Sequence, residues 1–385
     1  MVKKRKIKAK TLTLMGFLLL FVITYIYGQS ITAAYAFIEL AIAAICYLGC
    51  IKYFYYLDYI LRTLCLMVIF FAVFAGFLHG DLKSTLLITV PLVMPLYIST
   101  LNIEYKYNGK DFRPVTWLTV VIMYFTIIGN FFGDFNSNTI GFVSFMGISF
   151  GFVWLKCAKE KIVPMLSVLM GIIIAAYSGS RNVAIVGLIC LVLIILPKHL
   201  FANPTIYMII CSIIVVYTIF SANIMEWGFA NPKINNFLVE FTSNYSEKAW
   251  EMSARADYLR MIQNRIAQRG IIAKIFGDGV LTSHGHNMFY QCVMEFGYLG
   301  TAFIYLMFIR IFQLAYVMIR KKHDNIVLGC VIALWGNLLL QGADVYLLGP
   351  ETYAMIPQIL MGIIIQRYMS YKCTYYNIDK LKELT

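Results

Sequence analysis

About a dozen apolar runs follow one another along this chain, with short polar breaks between most of them. A helix that crosses a bilayer needs roughly 17–25 mostly apolar residues. Read on that length, the spans fall near 11–28, 31–51, 59–78, 84–101, 115–132, 139–156, 161–178, 181–197, 204–224, 288–319, 325–347 and 352–370. The composition agrees: 61% of the 385 residues are hydrophobic and 13% are charged, whereas a soluble domain is about 45–50% apolar and about 25% charged. The expected fold is an all-α polytopic membrane protein with about twelve transmembrane helices. The run at 288–319 is too long for one simple crossing. It is expected to start as an interfacial helix and bend near Gly297 and Gly300, because glycine weakens a helix interior.

Lysine and arginine placement orients the spans. With the N-terminus inside, the inner side collects Lys3, Lys4, Arg5, Lys6, Lys8 and Lys10, and the loops carrying Lys52, Arg62, Lys106, Lys110, Arg113, Lys156, Lys159, Lys161, Lys198 and Arg320–Lys322. It also collects the C-terminal Arg367, Lys372, Lys380 and Lys382, leaving only Lys83 and Arg181 in the short outer loops. Both termini then face the cytoplasm, and one long loop, 225–286, faces outside. The net charge of +13 is mostly a topology signal and does not point to nucleic acid. The first span is read as uncleaved, since no small-residue cleavage site follows it. None of the nine cysteines lies in the long loop, so no disulfide framework is expected. The inner loops hold no nucleotide-binding fingerprint, and no internal repeat of the secondary-transporter kind is evident.

The 225–286 loop is the longest hydrophilic stretch in the chain, so chemistry that needs arginine and histidine has few other places to occur. Residues 246–269 read as a helix, capped at Ser246 or Asn244 and ended by Gly270. Trp250, Ala254, Tyr258, Ile262 and Ile266 recur every four residues as an apolar stripe. With Arg255 at zero, Arg269, Arg265 and Arg260 fall at about 320°, 280° and 140°, and the stripe centres near about 300°. Arg255, Arg265 and Arg269 are therefore expected on the buried side. They either snorkel and pair with nearby acids, or form a cationic wall suited to phosphate, which arginine binds with paired donors. Arg181, in Tyr-Ser-Gly-Ser-Arg-Asn, either snorkels or faces a polar cavity; Ser178, Gly179 and Ser180 favour the cavity. His284 and His286 stand at the mouth of a span. Metal binding needs three or four ligands and only Asp278 offers a third, so no metal is expected. General-base work fits better, because an imidazole beside cationic arginines stays neutral and can accept a proton. Glu295, deeper in the same run, needs a partner, with Arg310 or a loop arginine as candidates.

At these residues the chain resembles the Wzy-type O-antigen and capsular polysaccharide polymerases and the related O-antigen ligases. The likeness rests on a long outer loop late among about twelve spans, and on Ser180-Arg181 opening a span. Within and after the loop it rests on Arg255-Ala-Asp-Tyr, Gly-x-Gly at 277–279, and His286-Asn287 followed by Glu-Phe-Gly-Tyr-Leu-Gly at 295–300. It covers roughly 181–300; the first half matches only in hydropathy. The resemblance implies an inverting, metal-independent and cofactor-free glycosyl transfer in a bacterial cytoplasmic membrane. Undecaprenyl-pyrophosphate-linked oligosaccharides would be donor and acceptor, and a flippase and a chain-length regulator would be partners. Arg181 and Arg255 would grip the pyrophosphate and His286 would act on the acceptor hydroxyl. Ser180, Tyr258, His284 and Asn287 stand beside them as candidate substrate-binding residues, and helix geometry adds Arg265 and Arg269. A ligase shares these motifs. A lipid-linked sugar flippase is the different-class alternative, to which Glu39 in an early span lends some support.

Overall fold

The computed structural model describes residues 57–79, 109–132, 137–178, 180–230, 245–277, 287–342 and 355–375; the side chains of some positions within these helices, Arg181 and Arg255 among them, lie outside the description. Their regular structure is helical, with no strand among the described residues. In chain order the helices are α1 Tyr59–His79, α2 Gly109–Phe132, α3 Ser137–Cys157, α4 Ile162–Tyr177, α5 Arg181–Ile195, α6 Lys198–Ala202 and α7 Pro204–Ala230. After them come α8 Tyr245–Gln268, α9 Ile271–Phe276, α10 Met288–Lys322, α11 Asn325–Gln341 and α12 Met355–Tyr375. Expected spans from 59–78 onward meet helices α1 to α5, α7 and α10 to α12, apart from 84–101. That span, with 11–28, 31–51 and Glu39, lies outside the described residues. The loop helix expected at 246–269 is α8.

Among the described residues, three helices, α1, α7 and α10, are long and apolar enough to cross a membrane. Shorter apolar helices accompany them, among them α4, α5 and α11 at 16, 15 and 17 residues. The surface has the pattern a lipid solvent requires. On α7 the exposed positions include Met208, Ile209, Ile213, Val216, Phe220 and Ile224, with Thr205, Ser212 and Asn223 as polar exceptions. Water would select polar residues on such a face, whereas lipid does not. The described fold is all-helical and compatible with a polytopic membrane protein.

The helix α11 is the axis of the bundle. It is apolar nearly all round, and nearly every residue from Ile326 to Gln341 is buried. It packs against α3, α5, α7, α10 and α12. Small residues set how closely these helices approach, as in membrane bundles generally. A Cβ added at Gly329 would stand 2.7 Å from the Val153 Cα, so α3 and α11 meet almost backbone to backbone. Polar contacts fix the register. Asp324 caps the start of α11 through the Ile326 and Val327 amides, at 3.0 and 3.3 Å. Arg367 of α12 donates to the same carboxylate at 2.7 Å.

The bend expected in α10 is present at Gly297, with φ 68° and ψ 179°. Gly300 continues the helix as a buried contact. The partner expected for Glu295 is not Arg310. Arg310 instead grips Asp58, just before α1, with Nε and Nη2 each donating at 2.8 Å to the two carboxylate oxygens. Its Nη1 donates to Gln313 at 2.9 Å. Both partners of the Asp58–Arg310 pair are mostly sequestered, with side-chain exposures of 9% and 21%. Burial alone would raise the Asp58 carboxyl. Arg310 and the Leu61 amide outweigh it and hold the group below its ordinary value.

Removing one partner of a sequestered pair costs more than replacing both. Arg310→Ala is expected to lower stability by about 2–4 kcal/mol, with most of it regained when Asp58→Leu and Arg310→Met are combined. Denaturant unfolding of detergent-purified protein measures this, and an unchanged midpoint in Arg310→Ala would refute it. Because the folded Asp58 titrates low, its contribution is full above the ordinary carboxylate range and is lost as pH falls through the lowered value. Asp58→Asn should therefore remove part of the acid sensitivity of unfolding.

Candidate functional site

Helix α8 forms because 245–268 is rich in strong helix formers, with no glycine or proline before Gly270. Its described buried positions are Leu259, Ile262 and Ile266. Ile262 and Ile266 join Val293 and Met294 of α10 in a small apolar cluster, with Tyr258, Phe289 and Tyr290 packed against it. Polar contacts run beside the cluster. Gln263 donates to the Tyr290 hydroxyl at 2.7 Å, and that hydroxyl donates to Asn223 of α7 at 3.3 Å. Arg269 Nη1 donates to the Met294 carbonyl at 3.1 Å, in the last turn before the bend of α10. The loop helix is thus docked along the first half of α10.

The buried side of α8 departs from the expected one in a definite way. Arg265 is exposed, while Arg269 is half-buried. Apolar residues spaced by four drift about 40° per step around a helix, so a stripe averaged over five residues misplaces the contact made at one end. The contact forms at Leu259, Ile262 and Ile266, and Arg265 lies about 100° round from Ile266. Arg260 is exposed as expected and pairs with Asp257 at 3.6 Å on the surface. The side chain of Arg255 lies outside the described residues; its backbone is one turn before Tyr258–Leu259 on the same helix.

Asn287 is wholly buried and opens α10. Its Oδ1 accepts from the Tyr290 amide at 3.1 Å. Its Nδ2 donates to Ser221 Oγ at 2.8 Å and to the Gly342 carbonyl at 3.3 Å. Ser221 donates to that same carbonyl at 2.8 Å. The amide expected to meet substrate is committed to protein partners. It ties the start of α10 to Ser221 of α7 and to the turn that ends α11. His284 and His286, with Asp278, lie outside the described residues.

Helix register brings the Ser180-Arg181 end to the same level along α11. The helices α5 and α11 run antiparallel: Cys190 Sγ reaches the Ile332 carbonyl at 3.6 Å. A Cβ on Gly336 would stand 2.7 Å from Cys190 Sγ and 3.4 Å from Val186 Cγ1. Moving back from Cys190 along α5 by nine residues covers about 13 Å and reaches Arg181. The matching travel along α11 reaches Gly342, where Asn287 and Ser221 meet. Ser180 itself is buried against Gly141 of α3, where an added Cβ would stand 2.5 Å from the Ser180 Cβ. Its role in the described structure is packing at the α5 N-terminus.

Sequence reasoning passed over Ser221, Gln263 and Tyr290, which hold the segments in place. Nothing in their local sequence marks them, because their partners lie far away in the chain. Glu295 is fully buried, with Oε1 accepting from Gln291 and Oε2 lacking a hydrogen-bond partner. A separate cavity of about 500 Å³ opens between α7, α10 and α12, lined by Tyr207, Met208, Phe312, Gln313 and Tyr316. It is largely apolar and lies well along α7 from Ser221. Arg310 reaches it, with its guanidinium already engaged by Asp58 and Gln313.

Asn287→Ala removes a helix cap and strands buried acceptors, so it should cost about 2 kcal/mol. Arg265→Ala, on the exposed face, should stay within about 0.5 kcal/mol of wild type. Unfolding midpoints of the two variants test the contrast, and equal losses would contradict it. No protein-family model, curated protein or solved structure matches the chain.

Proposed function

We propose that the protein is a membrane glycosyltransferase that polymerises undecaprenyl-pyrophosphate-linked oligosaccharide repeat units at the outer face of a bacterial cytoplasmic membrane. One observation carries the reading. Three segments far apart in sequence lie toward one end of the described bundle: the start of α5 with Ser180-Arg181, the arginine-bearing α8, and the start of α10 directly after His286. These are the segments in which the resemblance to Wzy-type polymerases resides. The positive-inside pattern puts that end outside, on a twelve-span topology with both termini in the cytoplasm.

The chemistry suits these residues. Pyrophosphate is already a good leaving group, so the protein has mainly to neutralise charge, position two substrates and accept a proton. Arg181 and Arg255 hold the pyrophosphate of the donor. The acceptor hydroxyl attacks the anomeric carbon from the opposite face, and the bond between that carbon and the pyrophosphate oxygen breaks with inversion. His286 takes the hydroxyl proton and later releases it to water. Arg269, half-buried beside the bend, supports the cationic surface. Arg265 faces outward and can reach only substrate lying across α8. A flippase delivering the lipid-linked unit and a regulator of chain length are the expected partners, and neither metal nor cofactor enters the reaction.

The test is a gel of lipid-linked glycan from cells lacking the gene and complemented with wild type, Arg181→Ala or His286→Ala. Wild type should restore a ladder, and each variant, expressed at normal level, should leave single repeat units, a loss of at least about a hundredfold in polymer. Full ladders in both variants would sink the reading. Polymer that forms in every strain but fails to reach its final acceptor would assign a ligase instead. Absence of outward-facing single units in the deletion strain would point to a flippase.

A further inference from the structure

Two glycines meet where α9 ends and α10 bends. Gly277 has φ 79° and ψ 178°, and Gly297 has φ 68° and ψ 179°. This region of backbone space is essentially closed to residues with a side chain. The two positions also exclude side chains from each other's surroundings. A Cβ on Gly277 would stand 2.6 Å from the Gly297 nitrogen and nearer still to the Glu295 carbonyl. A Cβ on Gly297 would stand 2.5 Å from the Phe276 nitrogen and nearer still to the Ile275 carbonyl. The obstacles are main-chain atoms and cannot swing aside.

This crossing closes the base of one particular segment. The chain leaves it at Gly277, held on Glu295–Gly297, and returns at Asn287, held on Ser221 and Gly342. Between the two anchors lie residues 278–286, with Asp278, His284 and His286. Further stitches secure the same base: Arg269 on the Met294 carbonyl, and Thr301 Oγ1 on the Gly297 carbonyl at 2.6 Å. Toward the N-terminus, α9 is joined to α8 through Arg269 and Gly270 alone. The crossing therefore also fixes α8, and the arginines on it, relative to the first half of α10.

We infer that Gly277, Gly297 and Arg269 form a backbone clasp that fixes α8 and α9 against the first half of α10. The inference rests on the polymerase reading for the meaning of that alignment. These three are positioning residues, setting the arginine-bearing helix α8 relative to the start of α10. A displacement of about 1 Å in an aligned reaction can cost on the order of a hundredfold in rate.

The experiment uses the purified full chain in detergent, supplied with undecaprenyl-pyrophosphate-linked repeat units from the host strain. Turnover and hydrogen–deuterium exchange of peptides spanning 271–277 and 288–300 are measured side by side. Gly270 serves as the control, because its φ of −62° suits alanine and an added Cβ meets nothing within 4 Å. Gly277→Ala and Gly297→Ala should each speed exchange in both peptides and lower kcat by at least about tenfold, with KM changed much less. Gly270→Ala should match wild type in both. Arg269→Gln, which covers the possibility that a glycine variant fails to fold, should lower kcat, and Arg269→Lys should restore much of it. Wild-type kcat in Gly277→Ala and Gly297→Ala, or unchanged exchange in both, would overturn the clasp. So would equal losses in Arg269→Lys and Arg269→Gln. If wild type makes no polymer while the exchange differences hold, the polymerase reading fails and the clasp survives only as a feature of the fold.

Discussion

A helix that bends within a low-dielectric core has to find partners for the backbone groups the bend releases, and around α10 of this protein everything near the site is arranged to provide them. The break at Gly297 turns one apolar stretch into a short half-helix and a long span. Arg269 and Thr301 bond to carbonyls on either side of the break, and Gly277 brings a second backbone across it. Without the break, α8 would have no half-helix to lie along, and the ends of the histidine segment would not be held. The side chains of Ile262, Ile266, Val293 and Met294 add apolar contact once the backbone has made that surface.

The other end of the half-helix is held differently. Asn287 is buried and satisfied, and its partners come from α7 and from the turn after α11. Since α11 is buried on nearly every side, this anchor is referred to the axis of the described bundle. The register of α5 against α11 carries the Ser180-Arg181 end to the same level. The start of α5, the start of α10 and the turn after α11 are thus referred to one level of the bundle axis.

The amount of this that a sequence can disclose varies with the range of the interaction. The apolar runs disclosed the long helices, since a span depends on local length and hydropathy. The end of α8 before Gly270 and the bend at Gly297 were legible for the same reason. The buried face of α8 was misjudged at Arg265, because a four-residue stripe drifts around the helix and only tertiary contact selects which part of it is used. The partner of Arg310 was missed because Asp58 is 252 residues away. Asn287 was legible as a residue of interest but not as an internal anchor. Gly277 and Gly297 each stood out within a motif, yet no local pattern says that two glycine motifs touch.

The pairing of Asp58 with Arg310 also has a consequence for how the protein is made. The two residues are separated by 252 positions, with α1 at one end and the long helix α10 at the other. At a synthesis rate of about 5–20 residues per second, Asp58 emerges about 10–50 s before its arginine exists. For that interval the carboxylate at the head of α1 has to remain at the water interface, protonated or held by a temporary companion. The early helices therefore wait in an unfinished arrangement until a late one arrives. The Asp58–Arg310 contact can form only after most of the described helices have been made, and α11 and α12 follow later still.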